Sequence, residues 1–221
     1  MTANLPNSAG LASAPYHSLM RSVIEGTWRF SLVSLGGFSV WAFAGRWFYR
    51  HWGEAGLYAA TTLVFVGLAG LLLHPLVSGP RRLWRFWRVF VPAFLAYAVC
   101  WCLFWFALGG GLGEWLGSLA GSLALVAVTS WGLGNGQRFV SSSIAFFLAH
   151  SAGYFAGGLL MAWVLEAHHS GWLAVISKDL VGLIGKLTWG LAYGVGFGAG
   201  LGYTFHACQR CPDRPSDVAS A

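Results

Sequence analysis

Long apolar stretches alternating with short polar breaks set the pattern of this chain. Six stretches of about the 20 residues that cross a bilayer core fall at roughly 28–49, 55–77, 89–108, 115–133, 138–165 and 180–205. The breaks carry helix-stopping residues, among them Pro75, Gly79-Pro80 and Gly109-Gly110-Gly111, with further loops at 132–137 and 166–179. The pattern predicts an all-α, polytopic integral membrane bundle of six transmembrane helices over residues 28–206. A mobile polar tail is expected over 1–27 and a second polar tail over 207–221.

Two stretches carry a further signal in their small residues. In the fifth, Ala149, Gly153 and Gly157 recur every fourth position, with Ala152 and Ala156 beside them. In the sixth, Gly190, Gly194, Gly198 and Gly202 form a run of GxxxG steps, and Gly196 and Gly200 form another on a second side. Missing side chains let helix backbones approach closely, and in lipid that packing drives association. A helix bare on two sides is expected to lie between two neighbours, one of them the fifth helix.

Composition supports the membrane assignment. Only 9% of the residues are charged, against roughly 25% in soluble domains, so the surface is not one that mainly faces water. The formal charge of +6 does not point to nucleic acid, because the basic residues lie between the apolar stretches as membrane-flanking loops do. With both ends inside, Arg21, Arg29, Arg81, Arg82, Arg85, Arg88, Arg138, Arg210 and Arg214 gather on one side, and Arg46, Arg50 and Lys178 on the other. That asymmetry favours an N-in, C-in orientation, with a bacterial cytoplasmic (inner) membrane as the expected location. Arg81, Arg82, Arg85 and Arg88 are interleaved with Trp84, Phe86 and Trp87, a mixture suited to anionic headgroups on the cytoplasmic side.

Candidate chemistry centres on the fifth stretch. At 3.6 residues per turn Ser143, Phe147, His150, Tyr154, Gly157 and Met161 share one face. His150 lies roughly 18 Å from Arg138 along the helix, near mid-membrane. It suits either a proton relay or gate, or a buried imidazole satisfied by a neighbouring helix. Tyr154, one turn on, is placed to bond the same ligand or the histidine itself. Lys186 enters the sixth helix about two turns from its outer end, as a pathway residue or as a snorkelling anchor. His206, Cys208 and Cys211 lie within two turns and invite metal binding, thiol exchange or acylation. No cofactor motif is present: there is no P-loop and no HExxH.

The segment AHSAGYFAGG, residues 149–158, resembles the late-helix AHxxG segment of rhomboid intramembrane proteases. There the histidine activates a serine carried in a GxSG motif. The resemblance covers about ten residues and would make His150 a general base. This chain has no GxSG, and the nearest serines are Ser118 and Ser122.

Three function classes follow. The first is a small-solute or anion transporter or channel-like protein, with Ser143, His150, Tyr154 and Lys186 lining a polar pathway around the fifth and sixth helices. An anion or neutral solute fits that cationic set better than a metal cation does. The second is a non-catalytic subunit or scaffold, in a homo-oligomer or a larger membrane complex, which the glycine content would serve. The third is rhomboid-like hydrolysis.

Overall fold

The computed structural model describes residues 18–209, and every regular element among them is helical. Helix α1 spans Leu19–Ser39 and runs through a π-helical turn, Val40–Ala44, into α2, Gly45–Leu73. A 3-10 turn, His74–Leu76, precedes α3, Arg82–Leu108. The remaining helices are α4, Gly110–Leu133, α5, Phe139–His169, and α6, Lys178–Gln209.

Five helical stretches among the described residues are long and apolar enough to cross a membrane: Leu19–Leu76 and the four helices α3 to α6. Large apolar side chains face outward along them, including Leu63, Leu103, Leu148 and Leu159. Such a surface is matched by lipid and penalised by water. The protein is therefore an all-helical membrane protein.

The first stretch is not one straight rod. At about 1.5 Å per residue, 58 residues would reach about 87 Å, nearly three times a bilayer core. The chain turns back at Gly53, whose φ of 65° and ψ of −167° lie outside the helical region and suit a residue without a Cβ. Beyond it α2 returns alongside α1: Phe65 lies against Gly37, Leu68 against Gly36, and Arg29 donates from Nη1 to the Leu72 carbonyl at 2.8 Å.

Helix α1 already starts at Leu19, inside the segment expected as a tail. Ser18 caps it, accepting from the Arg21 amide at 3.3 Å. Its first turns are held because Ser22 and Gly26 are buried against α6. Similarly α3 starts at Arg82, so the basic-aromatic segment is helical. Arg81, Arg82, Arg85 and Arg88 are exposed there, while Phe86 is fully buried and Trp87 covers Gly70.

Helix α6 lies between α1 and α5. Gly194, Gly198 and Gly202 face α1, where an added Cβ would strike the backbone of Ser31, Gly26 and Ser22. Gly190 faces Phe38 on the same side, and Ser34 donates to the Gly190 carbonyl at 2.6 Å. On the other side Gly196 meets Ala149 and Gly153 of α5, Gly200 meets Phe146, and Gly157 meets Trp189. Helices α2, α3 and α4 complete the bundle: rings such as Phe65 and Phe94 join α2 to α3, and Gly113 and Gly117 of α4 lie against the α3 backbone at Phe104 and Trp101. A ladder of stacked rings runs along α3 through Phe86, Phe90, Phe94 and Tyr97, with centroids 4.9, 5.3 and 5.9 Å apart.

Candidate functional site

The bundle is open at one end. A cavity of about 440 Å³ opens beside the Gly53 reversal and the α3–α4 turn, and descends into the middle of the molecule. Every helix contributes to its wall: Phe38 from α1, Tyr58 from α2, Trp101 from α3, Glu114 from α4, Tyr154 from α5 and Trp189 from α6. The π-helical turn adds Trp41. Helical irregularities of this kind recur at functional sites, and this one delivers an indole to the cavity rim.

The wall is overwhelmingly aromatic. Trp101 stacks on Trp105 with centroids 5.5 Å apart and meets Tyr154 edge-on at 6.0 Å; Tyr154 in turn meets Trp189 at 5.5 Å. The charged groups on it are two carboxylates, Glu54 and Glu114. Glu54 is exposed at the reversal, whereas Glu114 is half-buried and accepts from the Tyr154 hydroxyl at 3.2 Å.

At the floor the cavity meets a buried polar chain. Tyr193 donates to the Tyr97 hydroxyl at 3.2 Å, and Tyr97 lies 2.8 Å from His150 Nε2. Since the Tyr97 oxygen accepts from Tyr193, its own proton is available to Nε2, which puts the imidazole proton on Nδ1. His150 has no exposed surface, and its Nδ1 has no hydrogen-bond partner among the described residues. Phe146 and Phe197 pack on the ring at centroid distances of 6.0 and 5.7 Å, closing the bundle below it.

The residues picked out in the sequence are distributed unevenly about this site. Tyr154 is on the wall and stacks 6.2 Å from His150, but its hydroxyl bonds Glu114, and it is Tyr97 that bonds the histidine. Ser143 is buried in α5, without a hydrogen-bond partner among the described residues and off the cavity wall. Lys186 stands at the rim with Nζ 4.9 Å from the Trp41 ring centroid. Gly153, Gly157 and Gly196 bring the α5 and α6 backbones close together, and the central cavity is walled beside them by Tyr154 of α5 and by Trp189 and Tyr193 of α6.

The rhomboid-like pair is not assembled. Ser118 and Ser122 are fully buried and neither has a hydrogen-bond partner among the described residues, while Tyr97 occupies the bonded nitrogen of His150. At the far end of α6, His206 Nδ1 lies 3.4 Å from the Ser22 hydroxyl and Cys208 Sγ lies 3.4 Å from Ser130, so the two point to different helices. Cys211 falls outside the described residues, among which no three His, Cys, Asp or Glu side chains gather as a metal site.

The residues that sequence reasoning missed are Tyr97, Trp101, Glu114, Trp189 and Tyr193. One signal was available: Phe86, Phe90, Phe94, Tyr97, Trp101 and Trp105 recur at steps of three and four, an aromatic stripe along one face of α3. Fold and site together define a helical membrane protein with an aromatic central cavity. Comparison with family models, with curated proteins and with solved structures gives no match to this chain.

Proposed function

We propose that the protein is a small-solute transporter or channel-like protein whose solute occupies the central cavity. The observation that carries this reading is the cavity's construction: each helix supplies a wall residue, and its floor is a hydrogen-bonded Tyr193–Tyr97–His150 chain. A bundle built only to be stable fills such a volume. The aromatic closure at Phe146 and Phe197 favours a carrier that rearranges over an open pore.

Six crossings fit this reading, because the reversal at Gly53 divides the first apolar stretch into two antiparallel arms. The exposed arginines 81, 82, 85 and 88 and Arg138 cluster at the end away from the cavity mouth. Placed by the positive-inside rule, that end faces the cytoplasm and its anionic lipids, and the cavity opens outward. In a bacterium that membrane would be the inner one.

The test is flux. The full chain is reconstituted in liposomes and challenged with labelled cationic, neutral and anionic solutes of small size. Transport of at least one class above protein-free liposomes, slowed by Trp101→Ala, is expected. Fluxes equal to the protein-free rate for all three classes would overturn the reading. A stoichiometric membrane partner surviving mild extraction would then favour the subunit class.

A further inference from the structure

The chemistry of the wall narrows what the cavity can hold. Resting on the cavity being a solute site, we propose that it binds an alkylammonium group, seated among the indole and phenol rings with Glu114 as its counter-charge. A quaternary or protonated amine with a compact apolar body is the solute class.

Three observations carry this. First, the sign of the charge: the ionised groups on the wall are carboxylates, Glu54 and Glu114, and no Lys or Arg lines it among the described residues. Of the residues on which an anion was expected from the sequence, the one bearing a full positive charge, Lys186, stands at the rim over Trp41 and does not line the cavity. An anion entering the cavity would meet like charge in a low-dielectric setting.

Second, the ring faces. A cation within about 6 Å of an aromatic centroid is attracted by the ring quadrupole, most strongly by indole, and cages of such rings recognise methylated ammonium groups. Trp101, Trp105, Tyr154 and Trp189 bound one volume. The protein already uses this contact on the same wall, because the Lys186 ammonium rests over Trp41.

Third, the balance of apolar and charged surface. A metal cation needs six or so oxygen ligands, and two carboxylates on a wall of rings do not supply them. An alkylammonium needs few hydrogen bonds and gains from burying its methyl groups. The volume of about 440 Å³ also falls in the range of small-molecule sites, roughly 300–1,000 Å³.

The same group occurs on a free solute and on a choline-type lipid headgroup, and the experiment separates them. Purified full-length protein in a maltoside detergent is titrated calorimetrically with choline and with 3,3-dimethylbutan-1-ol, its uncharged isostere. Choline is expected to bind at least about tenfold more tightly, a preference to which the ring faces and the Glu114 counter-charge both contribute. Glu114→Gln, which keeps an acceptor for Tyr154 but removes the counter-charge, is expected to reduce that preference severalfold while leaving the binding of the alcohol unchanged. Trp101→Leu is expected to weaken choline without restoring anion binding. Equal binding of the two probes, or a preference unaltered in Glu114→Gln, would overturn the proposal.

Competition then assigns the source. Displacement of choline by dihexanoylphosphatidylcholine and not by dihexanoylphosphatidylglycerol supports a site that also admits headgroups. Displacement by neither supports a free-solute site, and displacement by the glycerol lipid alone overturns the ammonium assignment. Choline binding without flux would refute transport and leave this inference standing; flux of a neutral or anionic solute with no choline binding would do the reverse.

Discussion

The seam between α1 and α6 offers the sharpest test of how this fold is held, through Gly198→Ala. An added Cβ there would stand 2.9 Å from both Phe30 Cβ and Thr27 Cα, and nearer still to the Gly26 carbonyl oxygen. Carbon pairs are comfortable at about 3.5–4.0 Å, so α1 would have to retreat by on the order of 1 Å. A gap of that size forfeits about a quarter to a half of each contact along the seam. It would also stretch the bond from Ser34 to the Gly190 carbonyl, 2.6 Å in the native packing. The expected loss is about 1–3 kcal/mol, the usual cost of overpacking. At about 2–4 °C per kcal/mol for a chain of this size, the midpoint of that range lowers the apparent unfolding temperature by about 4–8 °C.

The control is Gly67→Ala in α2, where a Cβ would meet nothing within 4 Å. That variant is expected to hold or gain up to about 1 kcal/mol from helix propensity. Thermal unfolding of detergent-solubilised protein, followed by size-exclusion recovery after heating, reads both. If Gly198→Ala were as stable as the native chain, or Gly67→Ala fell as far, the backbone-to-backbone seam would be refuted.

Two further outcomes are expected. Tyr97→Phe leaves His150 Nε2 and the Tyr193 hydroxyl without their shared partner, and should cost about 1–3 kcal/mol. Tyr193→Phe removes only a donor to Tyr97 and should cost less, an order the same thermal assay would reveal; the opposite order would break the assigned hydrogen-bond direction. Reporter fusions after residues 52 and 170 should both report the outer side, and a cytoplasmic signal from either would sink the six-crossing arrangement.

The apolar stretches and their breaks were legible because membrane helices are set by length and hydropathy alone. So were the glycine rows of α6, since GxxxG spacing speaks directly about backbone approach. The phase of α5 was harder to read. Its expected face ran through Ser143, Phe147, His150 and Tyr154, whereas the buried set includes Ser142, Ser143, Phe146, His150 and Ser151. A helix apolar all round gives no contrast by which to fix its rotation, so Phe146 and Phe147 look alike in sequence. The cavity was less legible still. Tyr97 and His150 are 53 residues apart, and neither is unusual until the helices bring them within 2.8 Å of each other. Glu114 lies just outside the apolar stretch 115–133, and nothing near it in sequence points to its partner, Tyr154, 40 positions away.

The contrast between the two halves of the bundle has a mechanical consequence. Along α1, α6 and α5 the contacts are backbone on backbone, with glycines seated against carbonyls and Cα atoms that cannot turn aside. Across α2 and α3 the contacts are ring on ring, Phe65 on Phe94 at 5.6 Å and Tyr58 on Phe106 at 6.0 Å. Rings can pivot about their side-chain bonds and keep touching, so this half can shear by small amounts where the other can only separate. Compliance is thus concentrated at the α2–α3 side of the cavity, with the positive-φ glycines Gly53, Gly79 and Gly109 at the turns that bound it. The stiff seams hold the α1, α5 and α6 walls of the cavity as a fixed frame, and any widening or narrowing falls to the ring contacts between α2 and α3.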